Sequence, residues 1–168
     1  MHKVISVEEL PINPFTMIGK EWMLITAGNI NMFNMMTASW GCLGVLWNRT
    51  VAICFIRPHR YTYKFVNENN FFSLSFYPEE YRDALNVCGN YSGKDVDKVR
   101  LSGLTPVVDE EYKTIFFEES ELALICKKIY FQDINPENFL DKSIFDNYPK
   151  KDYHRMFVGE IVKALKKE

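Results

Sequence analysis

The sequence predicts a mainly β fold, an antiparallel barrel with short helices at its ends. Three observations carry this. Short apolar runs, some continuous and some alternating, recur along the chain between turn residues. They are not interleaved with long helices, which excludes a doubly wound parallel sheet. Aromatic residues make up 15% of the chain, with 13 Phe and 9 Tyr, types that favour strands and interfaces. The 168 residues, 47% hydrophobic and 25% charged, suit one domain with its own core. A chain of this size buries about 70% of its unfolded surface, so neither a disulfide nor a structural metal is required.

Glu21–Ala27 reads as the first strong strand, and Gly28–Asn31 as a turn into a second over Met32–Ser39. Thr50–Ile56 is short, β-branched and apolar, and Arg57-Pro58 ends it because proline donates nothing to a ladder. Tyr61–Asn70 carries apolar residues at helical spacing. Phe71–Tyr77 sets Phe72, Leu74 and Phe76 against Ser73 and Ser75, the pattern of a half-buried strand. Pro78-Glu79-Glu80 opens a helix to about Val87, with proline and acids in its first turn. Gly89–Gly93 reads as a loop and Asp95–Leu101 as a short helix stopped by Gly103. Strands follow over Pro106–Asp109, Thr114–Phe117 and Glu121–Gln132. After the irregular stretch Asn135–Tyr148, Met156–Leu165 is a closing strand whose tail has the option of turning helical. No repeat, low-complexity tract or linker divides the chain.

The formal net charge of −2 excludes a general attraction to nucleic acid or to an anionic membrane. The local basic run Lys163, Lys166 and Lys167 reads as a solvated terminus. The N-terminus has no basic stretch leading into a long apolar one, and no apolar run approaches the ~20 residues of a membrane span, so a cytoplasmic protein is expected. Cys42, Cys54, Cys88 and Cys126 form no C-x-x-C pair, which fits reduced thiols. His2, His59 and His154 are too scattered to define a metal site. The sequence contains no G-x-G-x-x-G, Walker A or G-x-S-x-G pattern.

Three segments carry candidate chemistry. In Asn34–Gly41, small polar residues lead to a glycine at a strand end. Exposed backbone groups there are able to read the edge of a flat heterocycle, with Trp40 as an aromatic wall; the alternative is a plain strand and a polar turn. In Arg57–Thr62, two arginines flank a helix start. Guanidinium forks match phosphate oxygens, and the helix start adds free N–H groups and partial positive charge. Tyr61 or Thr62 supplies a hydroxyl; the alternative is a solvated basic turn with Thr62 capping its own helix. In Ser92–Lys98, Ser92 or Asp95 is placed to cap a short helix, on which Lys94 and Lys98 share a face toward an anion or a flavin carbonyl. The alternative there is a pair of ordinary surface lysines.

Together, NMMTASWG, IRPHRYTYKF, SGKDVDK and the closing HRMFVGEIV resemble the flavin reductase-like, FMN-binding split-barrel family, and within it the flavoredoxin-type branch, over roughly residues 12–165. The resemblance implies a six-stranded antiparallel split barrel of Greek-key character with a few short peripheral helices. It implies one FMN-binding domain over residues 1–168, forming a homodimer. The cofactor is FMN, held without a covalent bond. Met36, Thr37, Ala38, Ser39 and Trp40 would line the ring, mainly through backbone groups. Arg57, Arg60, Tyr61 and Thr62 would face the phosphate, and Lys94 and Lys98 would lie close to the cofactor. Phe72 would stand on the dimer-side wall, and His154 would close the site. His59 stands where family members often carry a small residue, and is either neutral or a pH-sensitive extra contact. The Gly41–Gly44 turn and the loop Asn135–Tyr153 are individual to this chain, and such loops set the substrate.

The implied activity is that of an FMN-dependent oxidoreductase, either an NAD(P)H:flavin reductase or a flavoredoxin-like electron carrier. NADH or NADPH would be the donor, and free flavin or a redox protein the acceptor. No side chain is assigned as an acid or base, because the flavin supplies the chemistry. The rival from another class is a non-catalytic FMN-binding or flavin-storage module.

Overall fold

A computed structural model describes residues 1–168. Its main sheet has eight antiparallel strands. The hydrogen-bonded path runs β3 (Met32–Ala38), β2 (Met23–Asn29), β6 (Phe71–Phe76), β9 (Leu122–Asp133), β10 (Arg155–Lys167), β5 (Arg49–Ile56), β4 (Gly41–Leu46). The short β1 (His2–Ile5) joins the path from the side, on β10. A separate hairpin pairs β7 (Pro106–Val108) with β8 (Ile115–Phe117). The path stays open between β3 and β4, as in a split barrel. The class is the one expected, with more than the expected six strands: the N-terminal β1 and the edge strand β4 are additions to it. Gly41–Gly44, expected as a turn, is the first part of β4.

The long β10 is the organising element. It pairs with β9 along nearly its whole length, with β5 through Arg155–Glu160 on the other side, and with β1 through Ala164–Lys167. Its tail therefore stays in the sheet to Lys167 rather than fraying or turning helical. Lys163 is no solvated end: it pairs with Asp109 at 2.8 Å and with Glu111 at 3.0 Å. A bulge separates Val158 from Gly159, and the ring of Phe72 presses where a Cβ on Gly159 would stand. Phe72 is thus fully buried inside the barrel of one chain and faces no dimer-side wall.

The β2 run is uninterrupted because both of its faces are covered. Met23, Ile25 and Ala27 join the barrel core with Phe72, Leu74, Leu124 and Phe157. Leu24 joins a second core with Met35, Leu85, Cys88, Ile115 and Phe117 on the opposite face. The same layer corrects the half-buried reading of β6: Ser73 and Ser75 are fully buried, and Ser73 donates its hydroxyl to the carbonyl of Ile115. At the β2–β3 hairpin the Asn29 side chain accepts from the N–H groups of Asn31 and Met32.

Helices pack against the β2–β3 end of the sheet. The chain enters β2 through α1 (Pro14–Thr16) and a π-helical turn over Met17–Glu21, neither of which the sequence pattern announces. Helix α2 (Tyr61–Glu68) matches its spacing. Helix α3 (Arg82–Asn90) runs through Gly89, expected as loop, because Leu85 and Cys88 continue its buried face. Helix α4 (Lys98–Ser102) starts later than expected. Its cap is Asp97, accepting from the N–H of Arg100, and neither Ser92 nor Asp95. No helix is long and apolar enough to cross a membrane.

Candidate functional site

A cleft of about 320 Å³ opens where β3 ends. Met36, Thr37, Ala38, Ser39 and Trp40 form one wall. Phe55 and the turn after β5 bring in Arg57 and Arg60, α3 adds Leu85, Asn86, Gly89 and Asn90, and Trp22 and His154 complete the rim.

The β3 wall presents backbone because β3 is an end of the hydrogen-bonded path and has a strand partner only on the β2 side. In an antiparallel strand one residue's N–H and C=O point to the same side, alternating along the chain. The Met35 carbonyl points away from β2, where it accepts from Lys98. Thr37, two residues on, therefore directs its backbone pair to the same free edge. Its hydroxyl donates to the Leu85 carbonyl, which ties that edge to α3. Gly89 of α3 faces Thr37, and a Cβ there would be in ordinary contact with the threonine side chain, 3.4 Å from its Cβ.

The two arginines are placed differently. Arg57 donates from Nη1 to both carboxylate oxygens of Asp152, at 2.9 Å each, and from Nη2 to the Asn147 carbonyl at 2.8 Å. Arg57 holds the Asp152 carboxyl below the usual range. Arg60 is the N-cap residue of α2, and its side chain donates to the Gly89 carbonyl at 3.1 Å. No carboxylate pairs with it, and burial and the charge of Arg57 both lower its pKa. A half-buried guanidinium beside a second cation, with one carbonyl as its acceptor and a helix start at its base, fits a bound phosphate.

The other candidate residues lie outside this cleft. Thr62 is buried and accepts from the Asn34 side chain at 2.7 Å rather than capping α2. Tyr61 packs edge-on to Phe65. Lys94 is exposed above the Tyr61 ring. Lys98 is only 4% exposed, and its ammonium donates to the carbonyls of Met35 and Cys88, each at 2.8 Å. Burial lowers its pKa to about 8. Because α4 begins at Lys98, the two lysines do not share a helix face. His59 is exposed and lies 3.1 Å from Asp152. No cluster of three His, Cys, Asp or Glu side chains is placed to hold a metal ion.

Trp22, Phe55 and the α3 residues are members of the cleft that sequence reasoning misses. Asn86, Gly89 and Asn90 stand at i, i+3 and i+4, one face of a helix, and that spacing is the available signal. Trp22 leaves none. Its backbone has φ 74° and ψ 165°, a region that nonglycine residues avoid, and Arg82 lies 4.1 Å over its ring.

A cleft with two arginines at the end of a free strand edge places the chain in the class of mainly β split-barrel proteins. Within it, the chain belongs to the flavin reductase like domain family, whose model matches residues 17–168. Flavoredoxin from Methanosarcina acetivorans superposes with a TM-score of 0.68 at 24% identity, covering 88% of this chain and 69% of that one. An FMN-binding domain of a flavin reductases-like enzyme from Shewanella baltica gives 0.71 at 15% identity, covering 99% and 77%. The NADH:FAD oxidoreductase SgcE6 of Streptomyces globisporus gives 0.67 at 15%, covering 88% and 75%. At these identities the likeness is one of fold. No curated protein matches the sequence significantly.

Proposed function

We propose that this chain is an FMN-binding oxidoreductase, a flavin reductase or flavoredoxin-like electron-transfer protein that holds FMN non-covalently in the cleft at the end of β3. The observation that carries this is the Arg57–Arg60 pair, in which Arg60 has no carboxylate partner and stands at the start of α2. Membership of the flavin reductase like family supports it. So do the names of the flavoredoxin and of the FMN-binding domain that share its fold.

Arg60 and the first N–H groups of α2 would hold the phosphate, with Arg57 adding charge while it anchors Asp152. The backbone of Thr37 and its neighbours would hold the ring edge between Trp22 and Trp40, in a cleft that also takes apolar lining from Phe55 and Leu85. When bound, FMN supplies a ring that accepts and returns electrons. The residues around it orient that ring and fix its polar edge, and none is assigned as an acid or base. The donor is NADH or NADPH and the acceptor free flavin or a redox protein. The chain acts as a homodimer, a state favoured by the exposed Phe15, Val45 and Trp47 and by the unpaired outer edge of β4.

The test is the visible spectrum of the purified protein, followed by NADH and NADPH added separately under anaerobic conditions. A yellow protein bleached with turnover by one nicotinamide is a reductase. A yellow protein slow with both, but reduced by a protein donor, is a carrier. One that no donor reduces is a storage module, and one with no affinity for FMN overturns the proposal.

A further inference from the structure

His154 stands just ahead of β10 and is 8% exposed on the cleft wall. Its ring is held from two sides. Trp40 lies at 5.1 Å between centroids and Tyr148 meets it edge-on at 5.5 Å. The Tyr148 hydroxyl is 2.8 Å from His154 Nδ1. Tyr148 is itself fixed: it is buried, Arg57 lies 5.0 Å over its ring, and the same arginine donates to the carbonyl of the preceding residue, Asn147. Asn147, Tyr148 and His154 all belong to the segment that leads into β10, and Trp40 and Arg57 reach it from the ends of β3 and β5.

The direction of the 2.8 Å bond depends on which ring nitrogen of His154 carries the hydrogen. Burial and the charge of Arg57 lower the His154 pKa to about 4, so the imidazole is neutral at pH 7, with one N–H and one bare nitrogen. Asp152 and His59 are the other charged or titratable groups acting on it, and neither reverses this. Burial raises the Tyr148 pKa, so the phenol keeps its proton. That proton has one acceptor within reach, His154 Nδ1. A phenol that donates to Nδ1 puts the ring hydrogen on Nε2. Nε2 has no partner within the protein and is not among the sealed, unsatisfied polar atoms, which leaves it open on the cleft side.

We propose that Tyr148 is a positioning residue that holds His154 in its Nε2–H form, so that the imidazole offers a neutral hydrogen-bond donor to a ring carbonyl or ring nitrogen of the molecule in the cleft. A neutral donor suits a ligand whose charge is already met by Arg60, since it fixes orientation without adding to the positive field. The identity of the ligand rests on the flavin reading above; the form of the imidazole does not, and is measurable without ligand.

The test has two arms. In the first, the ¹⁵N-histidine-labelled full-length protein is read at pH 7 without ligand by long-range ¹H–¹⁵N correlation, with His154 assigned through His154→Gln. The neutral Nε2–H form is expected in the wild type, and a mixture of both neutral forms in Tyr148→Phe. A wild-type His154 that is charged, or protonated on Nδ1, overturns the proposal. In the second arm, FMN and riboflavin are titrated into the wild type, Tyr148→Phe, His154→Gln and His154→Asn, each checked for an unchanged melting profile. Tyr148→Phe is expected to weaken both ligands about 2- to 10-fold, the worth of one neutral hydrogen bond. His154→Gln, whose amide reaches the Nε2 position, should stay within about twofold of the wild type, while His154→Asn, whose amide stops at Nδ1, should not. Wild-type affinity in both Tyr148→Phe and His154→Asn overturns the donor role. A wild type that shows the Nε2–H form but binds no flavin supports the positioning and overturns the flavin reading.

Discussion

The Arg60 guanidinium donates to the Gly89 carbonyl across 3.1 Å, joining the start of α2 to the last turn of α3. The bond satisfies a helix-end carbonyl and meets the partial negative charge there with a cation. It uses one of the five N–H donors of the guanidinium, and the remaining ones have no carboxylate to meet.

Arg60→Ala therefore separates phosphate from ring. FMN should bind about 10- to 100-fold more weakly, the equivalent of charge-assisted hydrogen bonds worth roughly 1.5–3 kcal/mol. Riboflavin, which has no phosphate, should lose far less. Fluorescence titration of both flavins measures the two losses, and equal losses would remove Arg60 from the phosphate.

Ala38 tests the ring side. It lines the cleft in the last residue pair of the β2–β3 ladder, opposite Met23. Ala38→Leu adds bulk where the ring edge would lie, without touching either arginine. FMN and riboflavin should weaken together, by tenfold or more on the scale of ~1–3 kcal/mol for overpacking. If both bind as in the wild type, the ring is not held at β3.

Local chemistry is legible in the sequence and coverage is not. The strand β5, the helix α2 and the Gly28 turn are readable because each is specified by its own residues: a β-branched run, apolar spacing, a backbone that needs glycine. Whether a strand is covered on one face or two depends on distant segments. Ser73 and Ser75 look solvent-facing because nothing near them in sequence announces that β8 lies over them. Lys98 misleads for the same reason. A lysine four residues from another reads as surface, and only the packing of α3 on β3 brings together the Met35 and Cys88 carbonyls that receive it. Of the cleft, the Met36–Trp40 segment and the two arginines are visible as motifs. Trp22 is not, because its position follows from a π-helical turn and a positive φ that no residue there signals.

Gly28 is the position where the backbone most strictly requires glycine. Its φ is +116°, and a Cβ would stand 2.6 Å from the Phe33 Cα. Gly103 also has positive φ, +71°, but open space around it. Gly103→Ala should cost about 1 kcal/mol, the strain of a left-handed alanine. Gly28→Ala should cost more, about 2–4 kcal/mol, because the collision with β3 adds to the strain. Urea unfolding of the two variants gives the comparison, and equal losses would contradict the tight hairpin.

Lys98 makes stability depend on pH in a direction opposite to that of a salt-bridged lysine. Burial lowers its folded pKa to about 8 from an ordinary 10.5, so the folded state binds the proton less tightly than the unfolded chain does. Between those values the unfolded state carries more protons, and stability must rise with pH. Below about pH 8 both states are charged and the penalty of the buried ammonium is fully present. As pH climbs toward 10.5 the folded amine becomes neutral and the penalty is relieved. The relief reaches at most about 3 kcal/mol, at roughly 1.4 kcal/mol for each tenfold change in proton affinity. Other groups titrate in this range, so the informative quantity is the stability of the wild type minus that of Lys98→Met, followed by urea unfolding at closely spaced pH values. The neighbouring Cys88 thiol, raised to about 11 by burial, stays neutral through the window. The difference should climb between about pH 8 and pH 10. A flat difference would mean that the amine keeps its ordinary pKa, and therefore lies in water rather than behind the free edge of β3.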